Sequence, residues 1–267
     1  MGLTEAEFAT VSPILAGFVG SLVAGLATGV GALPVFFRRN WPERSQVIML
    51  AVAGGIMLAA TVFSLIIPAM EEVVGQQGSE TRAAVTVSAG VILGALCIWL
   101  IHASVPHEHF VKGPDGRSSV GLGRHWLFIL AITLHNFPEG MSVGVAFGPG
   151  DLRAGLAVTI GIGLQNMPEG LAVAAALISQ GYGRTRAVLI AFATGLVEPV
   201  GGLVGAAAVS LSDSLLPWGL AFSAGAMLFV ISGEVIPETH RKGTEHRATV
   251  CLVLGFVVMM MLDTTLG

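Results

Sequence analysis

The sequence predicts an all-α integral membrane protein with eight transmembrane helices, the fourth and fifth of them proline-kinked around a central polar site. Three observations predict this. The chain of 267 residues is 54% hydrophobic and 11% charged, with a mean hydropathy of +0.81, far from soluble globular usage. It divides into apolar runs of about 20 residues, the length that crosses a hydrocarbon core. Nothing shows the short alternating segments of a β-barrel, and in lipid every backbone polar group must be paired internally, so the runs are read as helices.

The first apolar run begins near Val11 and passes Val35, too long for a cleavable signal peptide, and is read as a permanent helix. The eight spans fall near 12–36, 46–70, 82–103, 125–148, 153–179, 186–210, 216–237 and 247–265. Turn-forming or polar stretches separate them: Arg38-Arg39-Asn40-Trp41-Pro42, Gly75-Gln76-Gln77-Gly78, Gly148-Pro149-Gly150 and Gly181-Tyr182-Gly183. A longer polar loop lies at about 104–124. Residues 1–267 therefore read as a single polytopic domain with one sizeable cytoplasmic loop. Cys97 and Cys251 sit singly in apolar runs, where a thiol packs as a small hydrophobe. No basic patch with interleaved aromatics appears, which excludes nucleic acid as a partner.

Sorting the cations by loop gives the orientation. The first, third, fifth and seventh loops hold Arg38, Arg39, Arg44, Lys112, Arg117, Arg124, Arg184, Arg186, Arg241, Lys242 and Arg247. The opposite side keeps only Arg82 and Arg153, so both termini are expected outside the cytoplasm. Glu5, Glu7, Glu71, Glu72, Glu80, Asp151 and Asp213 make that outer side acidic, a face that concentrates cations.

The interior carries the chemistry. An ionisable residue in mid-membrane costs roughly 2.5–3.5 kcal/mol on insertion scales and marks function by default. Glu139, Glu169 and Glu198 each fall near the centre of a span, yet no Lys or Arg occupies a helix interior to neutralise them. A proton or a bound metal cation must supply the positive charge. The neighbours favour metal. The fourth span reads His135-Asn136-Phe137-Pro138-Glu139-Gly140 and the fifth Gln165-Asn166-Met167-Pro168-Glu169-Gly170, one pattern occurring twice. Residues four apart share a helix face, so His135 stacks above Glu139 and Gln165 above Glu169, with Asn136 and Asn166 adjacent. Imidazole, carboxamide and carboxylate without thiolate suit zinc, iron(II), manganese, cobalt or cadmium.

Pro138, Pro168 and Pro199 adjoin the three glutamates and free the carbonyls of Leu134, Leu164 and Gly195, which suggests a hydrated centre among the fourth, fifth and sixth spans. Met57, midway along the second span, can add a thioether. Glu234, close to Pro237 and Glu238, can form an exit site or snorkel to the interface. Asp263 is placed close to the outer surface. Of the seven histidines only His135 is central; His102, His107, His109, His125, His240 and His246 map to the cytoplasmic side. His107-Glu108-His109 in particular is read as receiving or sensing metal after passage.

At these residues the chain resembles the Zrt/Irt-like (ZIP) divalent metal transporters, in particular their bacterial members. The resemblance spans all eight helices and rests on His135-Asn-Phe-Pro-Glu-Gly140, Gln165-Asn-Met-Pro-Glu-Gly170, Glu198-Pro199 and Glu234-Val-Ile-Pro-Glu-Thr-His240. It implies outside termini, an inner-membrane location, a binuclear metal site between the fourth and fifth helices, and inward movement of zinc, cadmium or iron. It also implies a homodimer in which one helix group moves against another. Carried over by position, His135, Gln165, Glu139 and Glu169 form one site with Met57 nearby, and Asn136, Asn166, Glu139, Glu169 and Glu198 the second. Some bacterial members have aspartate where Asn166 stands, which removes one charge from the second site, and some have histidine at Gly233.

Three other function classes need weighing. An intramembrane metalloprotease requires His-Glu-x-x-His spacing, which is absent. A proton-conducting or redox helper would explain the glutamates but not the doubled pattern. A metal-selective channel needs the same ligands as a carrier and is separated from it by saturable flux. The expectation is a transporter rather than an enzyme, with the divalent metal as cargo and no prosthetic group.

Overall fold

The computed structural model describes residues 12–38, 41–104, 107–109, 113–115, 124–148, 152–240 and 243–266. Among the described residues, eight helical runs follow the apolar segments. They are α1 (Pro13–Ala32, tightening into the 3₁₀ turn Leu33–Phe36), α3 (Glu80–Ser104), α4 (Arg124–Phe147), α5 (Leu152–Ser179) and α8 (Glu245–Leu266), with three composite runs between them. α2 is built from Glu43–Ala60, Thr61–Ile66 and Ile67–Gln77. α6 comprises Arg184–Gly195 and Glu198–Ser210, and α7 comprises Leu216–Val230, Ile231–Val235 and Ile236–Thr239. A short antiparallel pair, β1 (His107–His109) with β2 (Gly113–Asp115), lies in the connection before α4.

Six of these helices are long and apolar enough to cross a membrane: α1, α2, α3, α6, α7 and α8. α4 and α5, at 24 and 28 residues, are as long, but the polar repeats interrupt their apolar runs. α2 outlasts its apolar stretch by a full turn and more, because Glu71, Glu72 and Gln76 continue the helix until Gly78 closes it at φ 64. That left-handed conformation is one glycine adopts without steric cost.

Proline acts differently at each site. Pro138 and Pro168 sit inside helices that run on through them. Before Pro199 the sixth helix breaks, and Glu198 stands in the first turn of its second half, at the positive end of that helix dipole. In α2 and α7 the backbone widens into π-turns, Thr61–Ile66 and Ile231–Val235, each ending two residues before a proline, Pro68 and Pro237. A wider turn accommodates the missing N–H, and it is where Glu234 is carried.

Packing sorts the helices into two sets of four. α1 lies against α4, α5 and α6, and α4 against α6; α2 pairs with α8, and α3 with α7. The sets meet chiefly where α2 packs on α5 and α7 on α4. Smaller apolar clusters lie within each set, such as Ala32, Val35, Leu171, Leu177, Ala187 and Ala191 in the first and Ile56, Ala59, Ala60 and Met259 between α2 and α8, while a larger one, with Met57, Leu65, Ile98, Val143, Ile162 and Met227, runs across both. The outward faces of α3 (Ile92, Leu93, Leu96, Trp99, Leu100) and α8 (Val250, Val253, Leu254, Met261) stay exposed, as surfaces solvated by lipid do.

The glycines closing the two repeats explain how tightly the first set is built. A Cβ on Gly140 would overlap the Glu198 carbonyl oxygen, and one on Gly170 would overlap that of Thr28. Each Pro-Glu-Gly unit thus presents a carboxylate and, one residue later, a bare backbone that lets the neighbouring helix come within contact.

Candidate metal centre

All eight residues singled out as metal ligands are buried. Asn136, Gln165, Asn166 and Glu198 are completely enclosed, and Glu139, Met57, Glu169 and His135 are 1%, 3%, 7% and 9% exposed. They come from α2, α4, α5 and the break in α6, so the centre sits where the first helix set faces the second.

One carboxamide organises the floor of the site. The Asn166 side-chain amide donates to the Ala24 carbonyl of α1 at 2.8 Å and to Glu198 Oε1 at 2.7 Å, while its oxygen accepts from Gln165 Nε2 at 3.0 Å. This pins α5 to α1 and α6 and holds Glu198 in place. Around it further buried polar atoms lack a well-formed hydrogen bond: both oxygens of Glu139, Oε1 of Glu169, Oε2 of Glu198, Oε1 of Gln165 and both amide atoms of Asn136. Orphaned acceptors this deeply buried are rare in folded proteins and costly to leave unmet. The described positions bring no Lys or Arg among them. The arrangement can accept a divalent cation through several oxygens at once.

Met57 belongs to the apolar core that also holds Leu65, Met141, Met227 and Val230, and its carbonyl accepts the Thr61 hydroxyl at 2.8 Å. Ser64, on the π-turn of α2, donates to Asp263 of α8, a partly buried link that sequence reading did not foresee. His107, Glu108 and His109 form β1, but their side chains lie outside the described residues, as does that of His125. Glu5, Glu7, Arg39, Lys112, Arg117, Asp151, Arg241 and Lys242 lie outside them altogether.

His135 is brought to a different partner from the one its helix register suggests. Its Nε2 lies 2.5 Å from Glu234 Oε2, and the other oxygen of Glu234 lies 2.6 Å from His102 Nε2. The two imidazoles are near-parallel, 19° apart with centroids at 6.2 Å. All three residues are buried, and one ligand atom from each falls within 4.8 Å of the others, a spacing suited to one metal ion. His102 was placed by sequence among peripheral histidines. The signal for it was its position: the only histidine in the apolar run of α3, two residues before that helix ends.

Among the described residues, a bundle with six helices long and apolar enough to cross a membrane encloses a buried cluster of carboxylate, carboxamide and imidazole donors, which defines the class as a multi-pass membrane protein with a polar centre. Comparison with known proteins makes the class specific. A family model described as ZIP Zinc transporter matches residues 102–263. The chain is 50% identical over 252 residues to "Zinc transporter GufA" of Myxococcus xanthus, covering 94% of this chain and 99% of that protein. It is 44% identical to "Zinc transporter ZIPB" of Bordetella bronchiseptica over 93% of this chain and 81% of the relative. Against human "Zinc transporter ZIP11" identity is 31% over 96% and 98% of the two chains. The chain belongs to the ZIP zinc transporter family, a family of transporters.

Proposed function

We propose that this protein moves zinc, and divalent ions of similar ligand preference such as cadmium, iron(II) or manganese, across a bacterial inner membrane into the cytoplasm. All eight helices span the bilayer, α4 and α5 bend at Pro138 and Pro168 around the centre, and both termini face outward. The observation that carries the reading is the cluster of Glu139, Glu169 and Glu198 with its orphaned oxygens. Three buried carboxylates of like charge need a cation, and a cation that exchanges is cargo. His135, Gln165, Glu139, Glu169 and Met57 hold one ion, and Asn136, Asn166, Glu139, Glu169 and Glu198 a second. Membership of a family of transporters supports a carrier over a channel or an intramembrane metalloenzyme. The division into two helix sets supports a rocking or sliding of α1, α4, α5 and α6 against the other four, and a homodimer would anchor the static set.

Uptake of zinc and cadmium into proteoliposomes tests this. Glu139→Ala and Glu169→Ala should each abolish flux while the protein remains monodisperse in detergent. Robust transport by either variant would place the pathway elsewhere.

A further inference from the structure

We propose that the cleft where the end of α1 meets the α5–α6 turn binds the phosphate of an anionic phospholipid headgroup. The leaflet involved follows from the orientation proposed above; the binding itself stands on the residues of the cleft.

The cleft has a volume of about 710 Å³, within the roughly 300–1,000 Å³ usual for small-molecule sites, and its walls include Phe36, Ile178, Tyr182, Gly183, Arg184 and Thr185. Backbone geometry shapes it. Gly181, at φ 92, closes α5 and lets the Tyr182 N–H reach back to the Leu177 carbonyl at 3.0 Å, and α6 begins at Arg184. Ile178 and Tyr182 pack on the apolar cluster of the first helix set.

Charge is the second ground. Arg184 Nη1 donates to the Phe36 carbonyl at 3.0 Å, which ties the start of α6 to the end of α1 and orients the guanidinium. A guanidinium carries five N–H donors, so others remain for a ligand, already held in place and at little further entropic cost. The lining includes no carboxylate, and Thr185 adds an exposed hydroxyl. A planar fork of donors beside a hydroxyl is chemistry that recognises phosphate.

The setting makes that phosphate a lipid's. Phe36 and Phe37, at the end of a span apolar enough to cross a membrane, are 41% and 93% exposed, a surface that acyl chains cover better than water. Trp41 and Tyr182 pack against the same apolar cluster there, as aromatic residues do at a membrane–water interface. Arg38 follows Phe37 and Arg186 follows Thr185, so cations flank both walls in sequence. Basic pockets between transmembrane helices on the cytoplasmic side are seats for anionic headgroups. The lining residues come from α1, α5, α6 and the turn between the last two, all in the first helix set. A bound headgroup therefore fastens that set, and not the other, to the leaflet surface.

Gly183 gives a test that spares the fold. Its φ is −66, a Cβ there meets nothing within 4 Å, and no side chain caps α6. Aspartate is a favoured cap, so Gly183→Asp should hold or raise the melting temperature of lipid-free protein while setting a carboxylate in the cleft. The full chain in neutral detergent is titrated with phosphatidylglycerol, phosphatidylcholine or inorganic phosphate, and an apparent Kd is read from the rise in melting temperature. The parent should bind phosphatidylglycerol about 10-fold or more tighter than phosphatidylcholine, the size of one charge-assisted hydrogen bond. Gly183→Asp and Arg184→Gln should each bind the two lipids alike; if the second aggregates, the first decides. An equal response of the parent to both lipids, or a preference that survives in Gly183→Asp, overturns the proposal. Inorganic phosphate matching phosphatidylglycerol at equal concentration makes the ligand a free anion and overturns the lipid. Zinc uptake plays no part in these readouts, so they stand or fall apart from the transport pathway.

Discussion

Asn166→Asp separates the structural from the electrostatic work of the central cluster. In the parent the Asn166 amide donates to Ala24 and Glu198 at 2.8 and 2.7 Å. Aspartate has nearly the same shape but donates neither bond, and it sets an acceptor against two acceptors. Losing the bond to a carboxylate costs about 1.5–3 kcal/mol and the neutral bond about 0.5–1.5. Metal-free Asn166→Asp should therefore be less stable by about 2–4.5 kcal/mol, before any repulsion between the new acid and Glu198. A divalent ion reverses the balance, since the added carboxylate becomes a ligand. The assay is thermal unfolding of the purified protein in detergent, with chelator and with graded zinc. The variant should melt well below the parent in chelator and gain more than the parent from zinc, because a ligand that binds only the folded state stabilises by RT ln(1 + [L]/Kd). Equal melting in chelator would refute the assigned role of the amide. Equal gain from zinc would remove Asn166 from the metal's ligand shell.

Other expectations follow from the packing and the site. Gly140→Ala should destabilise by about 1–3 kcal/mol and slow uptake, because a methyl group must displace the Glu198 backbone; unchanged melting would mean α4 and α6 are farther apart than described. Met57→Leu conserves volume in the apolar core and should cost under about 1.5 kcal/mol, so any large loss of cadmium binding in it reports a lost thioether ligand. Asp263→Asn keeps an acceptor for the Ser64 hydroxyl while deleting the charge; it should leave stability nearly unchanged, and a fall in uptake at low external zinc would assign the charge to cation capture.

How much of this was legible beforehand depended on the kind of information. The helical runs of the described residues follow the apolar stretches, with α2 overrunning its own to Gln77, and the turns at Gly78 and Gly181 fall on glycines at φ 64 and 92. The burial of Glu139, Glu169 and Glu198 was readable because a carboxylate in an apolar run has few places to go. The π-turns before Pro68 and Pro237 were not, since a proline announces a missing donor but not whether the helix kinks, breaks or widens. The three outcomes all occur in this chain, at Pro138 and Pro168 running on, at Pro199 breaking, and at Pro237 widening. His102 was missed for a related reason. Its partner Glu234 is 132 residues away, and periodicity along one helix carries no information about which helix packs against it.

That last point bears on how ligands should be read in a membrane bundle. Helical register puts His135 one turn from Glu139 and so suggests a single ligand set on α4, yet His135 reaches across to Glu234 on the opposing helix set at 2.5 Å. Within the first set the polar contacts are closed by Asn166, which ties α5 to α1 and α6 whatever His135 does. His135 is thus the central-site side chain whose partner changes if the two sets move relative to one another, while Glu139, Glu169 and Glu198 travel together on α4, α5 and α6. A rearrangement of the sets would then leave the carboxylates' mutual geometry intact and alter only the imidazole's partner and the position of the Met57 thioether, which α2 carries. Metal affinity would change through those two softer ligands between states, enough to load an ion in one and loosen it in the other without dismantling the site.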